Sequence, residues 1–482
     1  MSSNTQSSNL TSGFIDLATY DETEKYLYGG DTSVSYFLKK LRKSTWFTVV
    51  PTVLSISGGN PGFGTSWGYK ISRAGDYLLR SWLRIQIPSV SLIPSTLTYP
   101  APPIVGGVVA PAAAYSLRWT RNLGHNIIRE INIAFNDLVA ERMDSYFLDF
   151  WAAFTIPAGK RNGYENMIGN VAQLNNPNSI SLFGPVQILP EYILNVPLPF
   201  FYQRDTGVAL PTAAIPYNDM IHNVYFRDIP ELLIIDDTLN HVSYPCQYSN
   251  ITTSGSIALR VDMWAEYAIV ANVERSQMGK APRDILIEQV QTAPAGQFIV
   301  NSTTTIQADI RFSHAIKALF FSIRNKTNQA ERSNYTAGSP VPFANGVQFN
   351  PAFSSDPIVQ TSLFYENTAR LVQMGSDYFS FVVPFYTAIS IPTETGYHML
   401  SYTLNLVATN PMGSTNYGKL TNVSLSFAPS ADAISSASVV APATAVQVAS
   451  GAASAQQFES IVVGLNHNII RISGGALGFP IL

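Results

Sequence analysis

Charge is what this sequence has least of: 13% of its 482 residues are Asp, Glu, Lys or Arg, against roughly 25% in an ordinary soluble domain. So few charged side chains cannot coat two freely soluble domains, and part of the surface is expected to be buried permanently against neighbouring subunits. The formal net charge of −3 gives no broad basic field, so direct contact with nucleic acid is not expected. Cysteine is nearly absent as well. The single Cys246 excludes an intramolecular disulfide, suits folding in a reducing compartment, and leaves stability to packing. No uncharged apolar run reaches the ~18 residues of a membrane-spanning helix. The nearest stretch, Pro100 to Ser116, carries five prolines or glycines in its first eight residues and reads as a loop. Met1 leads into the polar run Ser2 to Asn9 rather than a charged and then apolar leader, so secretion is not expected.

The signatures of chemistry are missing too. The histidines are His125, His222, His241, His314, His398 and His467, and no two fall within five residues of each other, which leaves no local metal-ligand spacing. There is no Gly-x-Ser-x-Gly elbow and no phosphate-binding loop. Gly58, Gly59, Gly62, Gly64 and Gly68 lack the required spacing and read as a wide turn between strands. Asp236-Asp237, reached through the apolar run Leu232 to Ile235, fits a strand ending in a turn better than a calcium or acid–base pair. Cys246 has no histidine within four residues and reads as an inert thiol. No catalytic, cofactor or metal site is expected, and therefore no enzyme. The sequons at Asn250, Asn301, Asn325, Asn334 and Asn422 matter only in a secreted chain.

What the chain has in quantity is Phe (26), Tyr (24), Pro (30) and Gly (31), a mix that favours pleated sheet punctuated by turns. Period-two alternation recurs from end to end. Leu83, Ile85 and Ile87 show it, as do Ile131, Ile133 and Phe135, and the run Leu259, Val261, Met263, Ala265, Tyr267 and Ile269. Leu319, Phe321 and Ile323, then Tyr402, Leu404 and Leu406, then Val423, Leu425 and Phe427 repeat it later. Such segments predict strands with one face on a core, and without regular intervening helices they predict an all-β chain of sandwiches. The clearest helix is expected after Asn136, where Val139, Met143, Phe147, Phe150 and Phe154 share a stripe that would cover an end or edge of the first sandwich.

A length of 482 residues exceeds what one core ordinarily serves, roughly 250–300 residues. The polar, alternation-breaking stretch Asn272 to Pro282 marks a boundary, giving domains 1–281 and 282–482. An echo between the halves points the same way. His125 to Phe135 precedes Pro199-Phe200-Phe201 much as His314 to Ile323 precedes Pro384-Phe385-Tyr386. Two low-complexity stretches, Tyr99 to Ala114 and Ala428 to Gln457, are expected to be long loops between strands. Lys39, Lys40, Arg42 and Lys43 form the densest basic cluster, either a solvated helix face or a contact with an anionic membrane or acidic partner.

Several stretches resemble one family. They are Thr11-Ser-Gly-Phe-Ile-Asp-Leu-Ala-Thr19, Lys160-Arg-Asn-Gly-Tyr-Glu-Asn-Met-Ile-Gly-Asn170, Pro197-Leu-Pro-Phe-Phe201 and Arg204-Asp-Thr-Gly-Val-Ala-Leu-Pro-Thr212. Arg311-Phe-Ser-His-Ala-Ile-Lys-Ala-Leu-Phe320, Met412-Gly-Ser-Thr-Asn-Tyr-Gly-Lys-Leu-Thr-Asn422 and Gly478-Phe-Pro-Ile-Leu482 complete the set. In this order they resemble the major capsid proteins of iridoviruses, especially those infecting invertebrates, and more widely of nucleocytoplasmic large DNA viruses. The resemblance implies a double jelly roll, two eight-stranded antiparallel sandwiches with a few short helices and long loops. It implies a homotrimer that serves as a pseudo-hexagonal capsomer of an icosahedral capsid, over an internal viral membrane and above minor capsid proteins. Residues 1–43 would then face inward, in a virion assembled in the host cytoplasm. A jelly-roll glycan-binding attachment protein is the alternative, to be separated by glycan binding.

Overall fold

Sixteen strands among the described residues build two sandwiches, and where the sequence alternates, as in β3 and β8, one face turns to a core. In this computed structural model the described residues are 4–57, 61–93, 115–181, 185–237, 242–253, 259–298, 300, 305–338, 354–438 and 455–480. The first sandwich uses β1 (Phe47–Val53), β2 (Ser66–Lys70), β3 (Tyr77–Ile87), β4 (Ile128–Phe135), β5 (Leu138–Asp144), β6 (Tyr192–Pro197), β7 (Met220–Phe226) and β8 (Arg260–Val270). One of its sheets runs β1-β8-β3-β6 and the other β2-β7-β4-β5, with the short strand Ser55–Ser57 beyond β2. The second sandwich uses β9 (Arg283–Thr292), β10 (Ile306–Ile310), β11 (Ala315–Asn325), β12 (Ile358–Tyr365), β13 (Thr368–Gly375), β14 (His398–Ser401), β15 (Val423–Pro429) and β16 (Phe458–Ser473). Its sheets run β9-β16-β11-β14 and β10-β15-β12-β13. The order is that of the first sandwich with eight added to every strand, and neighbours pair antiparallel, the pattern of a jelly roll repeated.

The repeat is real, but not where the sequence echo places it. His125 to Phe135 leads into β4, the fourth strand of its sandwich, whereas His314 to Ile323 leads into β11, the third of its own. Phe200 and Phe201 are fully buried while Phe385 and Tyr386 are exposed. Chance similarity of aromatic dipeptides produced the echo; the conserved quantity is strand order.

The expected helix after Asn136 is shorter than its apolar stripe. Val139 and Met143 lie in β5, because Asn136 adopts φ +54° and turns the chain back to pair Leu138 with Phe135. The helix, α3, is preceded in the chain by two helices of the N-terminal unit, α1 (Asn4–Ala18) and α2 (Glu22–Leu27). It spans Ser145–Thr155, begun by the Asp144 carboxylate accepting from the Phe147 N–H at 2.8 Å. After it come α4 (Ala158–Ile168), α5 (Asn272–Met278) between β8 and β9, and α6 (Ala431–Ala437).

Four other expectations change, the first being that Tyr402, Leu404 and Leu406 form no strand: β14 ends at Ser401, and the bends that follow leave Leu404 exposed. Ala428 and Pro429 finish β15, and α6, capped by the Ser430 hydroxyl, occupies part of the stretch read as loop; 439–454 lie outside the described residues, as do 99–114. Gly68 sits inside β2, where a Cβ would meet Ile221 at 3.2 Å, while Gly58 and Gly59 lie outside the described residues. In β8 the alternation holds to Tyr267 and then changes face, burying Ala268 and Val270 instead of Ile269, next to a register shift against β3.

The chain divides into two compact units, Met1–Trp46 and Phe47–Leu482. Phe14, Tyr26, Phe37 and Leu41 in the first are all exposed. Lys39, Lys40, Arg42 and Lys43 are exposed and outside any helix, which corrects the helix-face reading. A short helix is stabilised mainly by packing an apolar face, and Phe37, Leu38 and Leu41 are exposed.

Candidate functional site

The densest polar and aromatic cluster lies where the two sandwiches meet. The face of β9-β16-β11-β14 that points away from its own sandwich core carries Ile285, Ile287, Phe320, Ile461, Val463 and Leu465, all buried in the large hydrophobic cluster of the first half. The opposite face packs inside the second sandwich, with Leu319, Phe321, Ile323 and Phe427 in a separate core. Alternation along β11 thus serves two cores at once. Helix α3 delivers the first half's contribution: Phe320 lies among Phe147, Phe150 and Phe154, with ring centroids 6.4, 6.1 and 5.6 Å away. The last three members of the expected stripe, Phe147, Phe150 and Phe154, therefore do not cover an end or edge of the first sandwich but seal the junction between the halves.

Buried ions tie the same seam. Arg118, on the short strand Tyr115–Trp119, donates to Asp236 at 2.8 Å and to Glu331 of the second half, and all three side chains are at most 5% exposed. The two carboxylates keep the guanidinium charged despite the cost of burial. The Asp236-Asp237 pair does end a strand, as expected, but Asp236 faces inward as an ion-pair partner. Asp149 on α3 accepts four hydrogen bonds: from His125 Nδ1 at 2.6 Å, Asn122 at 3.1 Å, Ser333 at 2.6 Å and Tyr335 at 2.9 Å. Ser333 and Tyr335 belong to the second half. Arg204 joins Glu141 on β5 to Glu288 on β9, and Lys317 donates to the same Glu288. The Arg204 guanidinium also lies 4.5 Å from the Trp151 ring centre.

Burial of Glu141 pushes its carboxyl up to about 8; Arg204 and the Phe201 N–H pull the other way without winning. Burial works against the charge of Glu288 too, yet Arg204 and Lys317 hold its carboxyl below the usual range. The consequence of Glu141 has a definite sign. Between the unfolded value near 4.5 and the folded value near 8, the folded chain keeps a proton that the unfolded chain releases, so stability falls as pH rises through that window. We expect denaturant titrations between about pH 5.5 and 7 to show wild type losing up to about 1.4 kcal/mol more per pH unit than Glu141→Gln. Parallel pH profiles for the two proteins would contradict it.

One cluster imitates a catalytic triad without the geometry. His398 Nε2 lies 2.8 Å from Asp356 and 2.8 Å from the Ser376 hydroxyl, so both converge on one nitrogen. A nucleophile–base–acid relay needs the acid on the other ring nitrogen, and His398 itself is fully buried against Phe321. Cys246 is buried, which pushes its thiol up to about 12 and keeps it neutral. Among the described residues no group of His, Cys, Asp and Glu is placed to hold a metal ion. Asn250, Asn325 and Asn334 are buried, which bars a glycan from those sequons, while Asn422 is exposed.

Outside the N-terminal unit, exposed large apolar side chains are scattered along the chain and fall close together in two stretches. One is β1, with Phe47, Val49, Val50 and Val53. The other is the second-half segment 378–389, with Phe381, Val382, Phe385, Tyr386 and Ile389. Sequence reading missed both the ionic seam, whose members are scattered from 118 to 331, and this segment. A signal for the latter was present: no charged residue occurs from Tyr378 to Thr393.

A fold with a sealed junction, no reactive centre assembled among the described residues and open apolar surfaces suits a building block, and comparison with known proteins agrees. Residues 35–270 match the family described as "Major capsid protein N-terminus", and residues 274–478 match "Large eukaryotic DNA virus major capsid protein". The chain is 54% identical to the major capsid protein of Costelytra zealandica iridescent virus over 99% of both chains. It is 51% identical to that of Invertebrate iridescent virus 3, over 99% of this chain and 100% of the relative. The fold is similar to the VP54 capsid protein of PBCV-1, with a TM-score of 0.68 at 16% identity over 93% of this chain and 100% of that one. It is also similar to the Faustovirus major capsid protein, with a TM-score of 0.67 at 12% identity over 92% and 93%. The relatives are structural proteins of the virion shell, not enzymes, and this chain belongs to their family, the major capsid proteins of large eukaryotic DNA viruses.

Proposed function

We propose that the chain assembles as a homotrimer, each trimer a pseudo-hexagonal capsomer tiling an icosahedral shell over an internal membrane, in virions built in the host cytoplasm. The observation that carries this reading is the duplicated strand order. One chain already holds two like sandwiches, so three chains supply six, and six like bodies around an axis approximate a hexagon with only three-fold symmetry. The low charge supports burial against neighbouring copies rather than contact with the genome. The division into 1–281 and 282–482 belongs to the same proposal, supported by α5 lying between β8 and β9.

The N-terminal segment is assigned to the inner side, where Lys39, Lys40, Arg42 and Lys43 meet anionic headgroups or minor capsid proteins. Their full exposure in a stretch without regular structure supports this. Chromatography with light scattering tests the assembly: the expected mass is three chains of 52.7 kDa, both for wild type and for a variant with the four basic residues neutralised. That variant should bind anionic vesicles more weakly. A stable monomer overturns the trimer, and unchanged vesicle binding overturns the role given to the basic cluster.

A further inference from the structure

Within one chain, the junction between the halves is made by the helix that connects the fifth and sixth strands of the first sandwich. That helix, α3, lies between β5 and β6 and presses Phe147, Phe150 and Phe154 on Phe320, on the outward face of the β9-β16-β11-β14 sheet. By the rule of eight, the counterpart of α3 lies between β13 and β14. A helical segment is found there, a π turn at Tyr378–Val382 continuing into an α turn at Val383–Thr387. Its inner side is anchored by buried Phe379, Val383 and Pro384, but Phe385 and Tyr386 are 68% and 76% exposed. This helix has the seat of α3 and no acceptor within its own chain among the described residues.

The acceptor follows from the same rule. The counterpart of the face that receives α3 is the outward face of β1-β8-β3-β6. Where the second-half face is buried under the first half, this one is open: Trp82 and Trp264 are half-buried, and Arg80 and Ile193 are exposed. Trp82 and Trp264 stack across β3 and β8 with centroids 5.9 Å apart. The pairs Arg80–Glu266 and Arg84–Asp262, at 3.4 and 3.8 Å, flank them, so an aromatic centre has a charged rim, the composition of an interface. Beside them a groove of about 690 Å³, lined by Trp151, Tyr164, Met167 and Pro197 among others, runs between this face and α3 with α4.

We infer that segment 378–387 docks on the outward face of β1-β8-β3-β6 in a second copy of this chain, Phe385 and Tyr386 meeting the Trp82–Trp264 pair and its groove, so that contacts between chains repeat the contact within the chain. The occupant is a second copy because donor and acceptor both belong to this chain, are different surfaces, and match a pair of surfaces that already fit each other inside it. A head-to-tail contact of this kind closes into a ring when its rotation permits.

The inference rests on the homo-oligomer proposed above, and its test separates the two. Phe385→Asp with Tyr386→Asp should weaken association roughly 100-fold or more, leaving a folded monomer with unchanged circular dichroism. A variant as oligomeric as wild type overturns the inference while the oligomer stands; a monomeric wild type overturns both. Should the aspartates prevent folding, co-expressed Phe385→Cys and Trp82→Cys chains decide. A disulfide between the two kinds of chain on oxidation supports the contact, and an intact oligomer without that crosslink overturns it.

Discussion

Replacing Arg118 by alanine should destabilise the folded chain by about 3–5 kcal/mol. The loss comes from the carboxylates left behind: Asp236 and Glu331 are each 1% exposed, and without the guanidinium both charges are buried without their shared cation. Neutralising all three side chains together with apolar residues of similar size should return much of the stability, because the pair's attraction mostly offsets its own desolvation. Urea midpoints of the single and triple variants measure this. A loss below about 1 kcal/mol for the single variant would mean that water reaches the seam as it reaches a surface pair.

Phe320→Ala should cost about as much, 3–5 kcal/mol, for a different reason. The ring is fully buried and touches three phenylalanines of α3, which cannot close the cavity without moving the helix from its cap at Asp144. Phe427→Ala, in the inner core of the second sandwich, should lose a similar amount. The two differ in where the damage falls: Phe320→Ala should expose α3 to early proteolysis, and Phe427→Ala should not. Equal protection of α3 in both would show that the halves are held by the ionic seam alone.

Strands such as β3 and β15 were legible because one face meets a core and the other is less buried, which writes itself into period two. β3, β4 and β15 fall where alternation puts them. β11 was legible only in part, since residues 316–325 are buried on both faces, one in each core. The stripe from Val139 to Phe154 misled because spacing of three to four continued by accident across a hairpin and a helix start; the left-handed Asn136 and the Asp144 cap mark the true limits. The ion pairs were invisible for a simpler reason. Arg118 and Glu331 are 213 residues apart, and no local pattern announces a long-range partner. The family resemblance gave the double jelly roll, but strand order alone reveals which segments are counterparts, and so which face is left open.

The most direct test of the account is a density map of the assembled protein at side-chain resolution. It should show six sandwiches around one axis with α3 and segment 378–387 alternating at successive contacts, each pressed on the outward face of the next sandwich. A ring in which Phe385 and Tyr386 face solvent while the Trp82–Trp264 pair stays uncovered would contradict it.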